Sequence, residues 1–160
     1  MRFFCIFANV KKTKPIIKDL TNTYLEMKTD EKRINLEYEL NTTSPAMVWP
    51  MISDAGGLQR WIADEVKRDG NKLTFTWGTS YMSKDEKTAT ILDEKEMKYI
   101  RFKWDDDTSD DSYCELRIET GEITNDCLLA ITDFAEDGDT ESLREIWDEN
   151  IQNLHQNTGI

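Results

Sequence analysis

The sequence has few of the residues from which metal sites and nucleophilic sites are built. Its 160 residues include three cysteines and a single histidine. Cys5, Cys114 and Cys127 show no CxxC or CxxxC spacing, so we expect no zinc site. An odd number of thiols in a chain of this size favours a reducing, cytoplasmic setting. We expect buried free thiols, and a disulfide between Cys114 and Cys127 is the alternative.

Long apolar runs and an excess of basic residues are also missing. No run approaches the ~20 apolar residues that a membrane-spanning helix needs, and the formal net charge is −12. Nucleic-acid affinity comes largely from Lys and Arg contacts to phosphates. We therefore expect neither nucleic acid nor an anionic membrane among the partners. A hydrophobic fraction of 38% is enough for one domain with a real core.

The charge is unevenly distributed and divides the chain near Met27. Residues 1–26 carry five basic and two acidic side chains, a net charge of +3, so residues 27–160 carry the remaining −15. The apolar residues 3–10 precede a run of lysines and lack the cleavage site of a secretory signal. We expect residues 1–26 to be an extension outside the folded unit and residues 27–160 to form a single domain. An exported or amphipathic leader is the alternative.

Alternation of apolar and polar residues predicts a series of strands. The first covers residues 33–40, where Ile34, Leu36 and Tyr38 share one face. Asp69-Gly70-Asn71 is a hairpin signal between two further strands. The remaining alternation predicts strands at residues 66–68, 72–77, 87–92, 99–104, 112–119 and 127–133.

Two short helices are predicted after the first strand. Ser44-Pro45 is a strong helix start, because serine caps and proline is tolerated in the first turn. Pro50 removes a backbone donor, so this helix must be short or kinked. Ser53 or Asp54 is expected to cap the second helix.

A long amphipathic helix is predicted at the C-terminus. Asp139 or Thr140 can cap its start, and Gly159 lies near its end. Its apolar stripe consists of Leu143, Ile146, Trp147, Ile151 and Leu154. A long amphipathic helix that follows an antiparallel sheet lays this stripe on the sheet's concave face. The expected fold class is therefore α+β in two layers.

This order of elements resembles the START-like (helix-grip) superfamily, in particular the branch named for activators of the Hsp90 ATPase. The resemblance covers about residues 33–157. Besides Ser44-Pro45 and Ser53-Asp54, it rests on Leu58 with Trp61 in the second helix, Asp133-Phe134-Ala135-Glu136 and Trp147. It implies a curved antiparallel sheet that wraps around the C-terminal helix and encloses an apolar cavity.

The candidate site is the space between sheet and helix. The resemblance implies a non-enzymatic module that binds a small apolar or lipid-like ligand there, without a cofactor or a metal. We expect the cavity to be lined by Trp61, Phe75, Trp77, Phe102, Trp104, Leu116, Trp147 and Ile151. Periodicity does not distinguish a lined cavity from a filled aromatic core, so a filled core is the alternative. Tyr38 or Tyr113 would add polar selectivity if either points inward.

Two other classes of function stay open. One is a protein-interaction or co-chaperone role through the acidic surface. The other is a polyketide-cyclase-like enzyme, for which the carboxylate candidates are weak. We expect Asp133 to lie at a strand end and to cap the turn there. Glu115 alternates with Cys114 and Leu116 and is expected to face solvent. His155 has no positioned partner, so no catalytic residue is predicted.

The densest charge run has five carboxylates within residues 105–111. In an EF-hand that begins at Asp105, glycine and glutamate should occupy positions six and twelve. Those positions hold Asp110 and Leu116. We therefore expect a solvated hairpin tip rather than a calcium site.

Overall fold

The computed structural model describes residues 32–78 and 83–160. The predicted extension, residues 1–26, lies outside the described residues, as does Cys5. The first strand is followed by two short helices, six further strands and a long C-terminal helix. The strands are β1 (Arg33–Glu39), β2 (Glu65–Asp69), β3 (Lys72–Trp77), β4 (Asp85–Lys95), β5 (Tyr99–Trp104), β6 (Cys114–Thr120) and β7 (Cys127–Phe134). The helices are α1 (Pro45–Ser53), α2 (Ala55–Leu58) and α3 (Thr140–Thr158), with a 3-10 turn at Glu136–Gly138.

The seven strands form one antiparallel sheet in the order β1-β7-β6-β5-β4-β3-β2. From β2 to β7, strands that follow one another in sequence are neighbours, and β1 pairs with β7 so that Leu36 lies opposite Ile131. β1 and β2 are the two edges, and α1 and α2 lie in the connection between them. The predicted α+β arrangement, a curved antiparallel sheet that grips a C-terminal helix, is confirmed.

A glycine turn and a β-bulge help to shape the sheet. Gly70 begins the two-residue turn between β2 and β3 with φ +58°, a conformation that glycine adopts without steric cost. The register of β4 against β5 shifts between Ile91 and Asp93. Such a bulge bends and twists a strand, which helps the sheet to curve around α3.

The core lies between the concave face of the sheet and the helices. Alternate residues of β3, β5, β6 and β7 point to this face and are fully buried, as in Leu73, Phe75, Ile100, Phe102, Leu116 and Leu129. The buried side chains of α3 are Trp147, Ile151 and Leu154. Each large apolar side chain that is fully buried contributes about 1.5–3 kcal/mol relative to an exposed one. The stripe that predicted α3 is thus the surface that holds it on the sheet.

The ends of α3 match their sequence signals. Asp139 occupies the N-cap, where its carboxylate accepts a hydrogen bond from the backbone N–H of Ser142 at 3.1 Å. Gly159 ends the helix in the left-handed conformation, with φ +80°. Both termini therefore satisfy backbone groups that a helix end leaves unpaired.

The caps of α1 and α2 differ from the prediction. Ser44 and Asp54 stand at the two N-cap positions, but neither side chain accepts a capping hydrogen bond. The hydroxyl of Ser53 instead donates to the backbone carbonyl of Trp49 at 2.8 Å. Pro50 lies inside α1, and the helix ends three residues later, as its missing donor predicts.

The junction of α1 and α2 generates a prediction for Gly57. A Cβ atom there would lie 1.8 Å from the carbonyl oxygen of Pro50, whereas one at Gly56 would have nothing within 4 Å. Gly57→Ala should lower the free energy of unfolding by roughly 1–3 kcal/mol or more, because backbone must move. Gly56→Ala, the matched control, should be neutral or slightly stabilising. Urea denaturation measures both, and equal effects would contradict this geometry.

Candidate functional site

Four aromatic side chains from β3 and β5 form a continuous cluster on the concave face. The ring centroid of Phe75 lies 6.0 Å from that of Trp77, 6.0 Å from that of Phe102 and 5.2 Å from that of Trp104. Phe102 and Trp104 meet edge to face at 5.6 Å. Aromatic pairs at these separations stabilise beyond their buried area. The cluster is therefore both bulky and well fixed.

A small residue on β4 lets these rings meet across an intervening strand. Ala89 pairs with Leu73 on one side and with Trp104 on the other, and it is fully buried. Strands two apart in a sheet are separated by roughly 9–10 Å, a gap that the aromatic rings span above the methyl group of Ala89. A larger residue at this position would separate them.

The aromatic cluster has a buried end and an open end. Phe75 and Phe102 are 0% and 1% exposed, whereas Trp77 and Trp104 are only partly buried. The ring of Trp104 also lies below the amino group of Lys87, 5.6 Å from the ring centroid. The open end therefore combines two indole rings with a cation.

Two further tryptophans extend the cluster towards the helices. The ring centroids of Trp61 and Trp147 are 6.1 Å apart. The indole N–H of Trp61 donates to the carbonyl of Met51 at 2.9 Å. That of Trp77 donates to the carbonyl of Ile62, the residue after Trp61, at 2.8 Å. These bonds tie the α1–α2 segment to the aromatic cluster.

All eight residues predicted to line a cavity belong to or pack against one hydrophobic core. Trp77 and Trp104 are its partly buried members. Trp61, Phe75, Phe102, Leu116, Trp147 and Ile151 are buried. Their role as the lining of a ligand cavity stays a prediction.

A buried carboxylate joins this core to α3. Asp133 on β7 is 7% exposed. Its Oδ2 accepts the indole N–H of Trp147 at 2.9 Å, and its Oδ1 accepts the backbone N–H of Phe134, also at 2.9 Å. The expectation that Asp133 caps a turn is wrong, because alternation along β7 directs this side chain to the concave face, where Trp147 lies.

The surroundings of Asp133 favour its neutral form. Burial raises the pKa of Asp133 to about 6, although the hydrogen bonds from Phe134 and Trp147 lower it. The nearby charge of Asp107 raises this pKa further, and that of Lys87 lowers it. Asp133 therefore titrates closer to neutrality than an exposed aspartate does.

The two described cysteines are buried and free, which confirms the expectation for them. Cys127 pairs with Thr120 across the β6–β7 register, far along the strand from Cys114. Burial raises the pKa of the Cys114 thiol well above its usual value, and the charges of Asp133 and Glu115 act in the same direction. Cys114 is therefore a protonated, inert thiol.

Glu115 lies on the outer face of β6, where it accepts hydrogen bonds from two arginines. They come from Arg101 Nη2 at 2.6 Å and Arg117 Nε at 2.8 Å. The guanidinium groups stack 4.5 Å from the ring centroid of Tyr113 and 4.4 Å from that of Tyr99. The expectation that Glu115 faces solvent is wrong. Alternation identifies its face correctly, but the arginines leave it 7% exposed.

This ion-paired arrangement makes Glu115 a poor catalytic acid. Burial raises its pKa, and the hydrogen bonds from Arg117 and Arg101 outweigh that effect, so the pKa lies below the usual value. Tyr113 packs on Phe134 with the ring centroids 5.3 Å apart. Because its ring also stacks with Arg101, it lies on the outer face and cannot select a ligand inside the core.

The hydroxyl of Tyr38 donates to Asp148 on α3 at 2.6 Å. This bond lies where the helix passes over the edge of the sheet, and it raises the pKa of Tyr38 together with burial, which is the larger cause. His155 is half-buried, and its Nδ1 contacts the backbone oxygen of Ile160. Neither side chain is aimed at the aromatic cluster.

The acidic hairpin tip is held by contacts to neighbouring strands. Lys72 binds Asp105 at 2.7 Å, and Lys87 binds Asp106 at 3.1 Å. Hydrogen bonds from Lys72 and Thr90 lower the pKa of Asp105 to about 2. Within residues 32–78 and 83–160, no three or more His, Cys, Asp and Glu side chains come together in a way that could hold a metal ion.

A shallow depression of about 370 Å³ lies beside α1, away from the aromatic cluster. Arg68 crosses it, donating to the carbonyl of Ser53 and to the carboxylate of Glu94, each at 2.7 Å. Its walls are Trp49, Ser53, Asp54, Arg68, Glu94 and Glu96. This depression is polar, unlike the predicted apolar site. None of the described helices is long and apolar enough to cross a membrane.

Comparison with known proteins supports the same fold. A family model for the START-like superfamily domain matches residues 27–160. A Bacteroides fragilis protein of known solution structure is 37% identical, with 78% of this chain and 89% of that chain covered and a TM-score of 0.53. No curated protein matches the sequence.

Two less similar structures show the same fold. The AHSA1-like protein from Aeromonas hydrophila is 14% identical, with 79% of this chain and 92% of that chain covered and a TM-score of 0.64. The Aha1 dimer from Colwellia psychrerythraea is 14% identical, with 79% and 97% covered and a TM-score of 0.60. At such identities the similarity concerns the fold alone.

The raised pKa of Asp133 predicts an unusual dependence of stability on pH. The folded state holds this proton more tightly, because the pKa of Asp133 is about 6 there against 3.8 for an exposed aspartate. Ionisation of Asp133 therefore destabilises the fold as the pH rises from about 4 to about 6.5. The loss amounts to about 3 kcal/mol. Relative to wild type, Asp133→Asn should gain free energy of unfolding over this range.

Urea denaturation at several pH values tests this prediction. Asp139→Asn is the matched control, because hydrogen bonds from Ser142 lower the pKa of Asp139. That variant should lose stability relative to wild type as the pH rises, the opposite direction. A difference between wild type and Asp133→Asn that does not change with pH would contradict the buried, proton-holding carboxylate.

Proposed function

Because this chain belongs to the START-like superfamily, we propose that it is a non-enzymatic module that binds a small apolar or lipid-like ligand between the sheet and the C-terminal helix. The proposal places it in the cytoplasm, in keeping with its free buried thiols. The observation that carries the proposal is the aromatic cluster of Phe75, Trp77, Phe102 and Trp104. It reaches from the buried core to the partly exposed surface.

The open end of the cluster supports ligand entry there. Trp77 and Trp104 are 6.5 Å apart between ring centroids and are both partly exposed. Binding of an apolar ligand to flat apolar surfaces of this kind is favourable, because it removes apolar surface from water. Movement of one indole ring would extend the opening towards Phe75. A ligand that enters there would meet the faces of two indole rings beside the ion pair of Lys87 and Asp106.

The polar groups near the cluster are few, which is typical of apolar ligand sites. Asp133 is buried on the same concave face, and Lys87 lies over the ring of Trp104. They would orient a ligand rather than react with it. The absence of an activated nucleophile among the described residues supports a binding role. Cys114 is protonated and Glu115 is ion-paired.

A role in protein interaction is the competing proposal. The net charge of −15 over residues 27–160 supports binding of a basic partner through the acidic surface. Exposed charges are screened beyond about 8–10 Å at physiological ionic strength. Such a partner would therefore be lost at high salt, whereas binding of an apolar ligand would not.

Titration of the full chain with an apolar fluorescent dye tests the binding proposal. Trp77→Leu and Trp104→Leu should each weaken dye binding about tenfold, because each removes an aromatic face from the opening. Trp49→Leu is the matched control, since Trp49 is also partly buried against the core but lies on α1. It should bind the dye as wild type does.

Folding and binding are separated by a urea denaturation curve for each variant. Competition of a fatty acid with the dye would place both in the same site. Folded wild-type protein that binds no dye would count against the proposal. So would equal weakening in Trp49→Leu and in the two variants of the opening.

A further inference from the structure

The edge strand β1 directs half of its backbone groups away from the sheet. The N–H of Leu40 donates to the carbonyl of Cys127, and the carbonyl of Lys32 accepts from Ala135, at 2.9 and 2.8 Å. The backbone N–H and C=O groups of the even-numbered residues in this segment therefore point towards β7. Because backbone groups alternate along a strand, the outward N–H and C=O groups belong to Arg33, Asn35, Glu37 and Glu39.

The opposite edge of the sheet is protected, whereas no residue of the described ranges 32–78 and 83–160 covers β1. On β2, the N–H of Val66 donates to the side chain of Gln59 at 3.2 Å, and Arg68 reaches across to the carbonyl of Ser53. In the described part of the chain, no strand or side chain bonds to the outward groups of β1. A seven-residue edge that has no partner strand among the described residues is a template for pairing with another strand.

The charges of the side chains along this edge favour one register of antiparallel pairing with β1 of a second copy. Arg33, Asn35, Glu37 and Glu39 are all exposed, and no ion pair among the described residues uses Arg33, Glu37 or Glu39. If a two-fold axis passes through Leu36, Arg33 lies opposite Glu39 of the second copy and Asn35 opposite Glu37. The facing residues all have outward backbone groups, so they form the hydrogen-bonded pairs of an antiparallel ladder.

The neighbouring registers are less favourable. An axis at Glu37 places two copies of Glu37 opposite each other, and like charges in that position destabilise a pair of strands. An axis at Asn35 reduces the pairing of β1 with β1 to residues 33–37, so that Glu39 has no opposite residue within β1. Only the axis at Leu36 pairs all seven residues and joins both Arg33 side chains to glutamates.

We propose that the chain forms a two-fold symmetric dimer in which β1 pairs with β1 of a second copy, so that the two sheets become continuous. Where α3 passes over this edge, Asp148 accepts a hydrogen bond from the hydroxyl of Tyr38, and the charge of Arg144 acts on the same residue. This interface is independent of the aromatic cluster and of ligand binding.

Exchange of the paired charges tests the register. Arg33→Glu places glutamates opposite each other twice in every dimer and should weaken dimerisation of the full chain about tenfold. The double variant Arg33→Glu/Glu39→Arg restores both pairs and should recover the wild-type dissociation constant. Glu119→Arg, an exposed position on β6, is the matched control and should leave dimerisation unchanged. Sedimentation velocity over a range of concentrations measures all four proteins.

Glu37→Pro tests the backbone pairing itself. Proline removes one outward N–H, which the β1–β7 ladder does not use, so the fold should persist while the dimer is lost. A urea denaturation curve verifies the fold. Wild-type protein that stays monomeric at every concentration would overturn the proposal. A dimer that persists in both Glu37→Pro and Arg33→Glu would also overturn it. So would a double variant that dimerises no more tightly than Arg33→Glu does.

Discussion

The hydrogen bond between Trp147 and Asp133 is the interaction on which the arrangement of the concave face depends. A carboxylate buried in an apolar core is costly unless donors face it, and here one donor comes from the helix that the sheet grips. The bond fixes α3 along its own axis as well as against the sheet, because only one indole reaches Asp133. Burial of an apolar stripe alone would allow the helix to slide or rotate.

The position of α3 in turn places the other aromatic residues. Trp147 packs on Trp61, and Trp77 is bonded to the residue after Trp61. From Trp77 the rings continue through Phe75 to Trp104. The closed end of the cluster is thus held by the helix and by the indole hydrogen bonds of Trp61 and Trp147. At the open end Trp77 is also hydrogen-bonded, whereas Trp104 is held by ring contacts and by the amino group of Lys87. An opening for a ligand is therefore expected at Trp77 and Trp104 rather than at Trp147.

Much of the fold could be predicted because it depends on local patterns. Period-two alternation identified the strands, and the stripe through Trp147 identified α3. Apart from the caps of the two short helices, the failures share one cause, which is that they depend on the side chains that other elements bring next to a residue. The sequence shows that Glu115 faces away from Leu116, but not that two arginines cover it. The alternation of β7 does not reveal that a tryptophan of α3 lies above Asp133. That of β4 does not reveal that Ala89 leaves room for the aromatic rings of the strands on either side.

Native mass spectrometry of the full chain, purified gently from its own host, is the most direct test of whether the concave aromatic cluster holds a small apolar molecule. We predict a reproducible extra mass that is released on unfolding and reduced in Trp104→Leu. A bare mass in wild-type protein, together with no uptake of added fatty acid, would contradict it and would show that the cluster is simply a filled core.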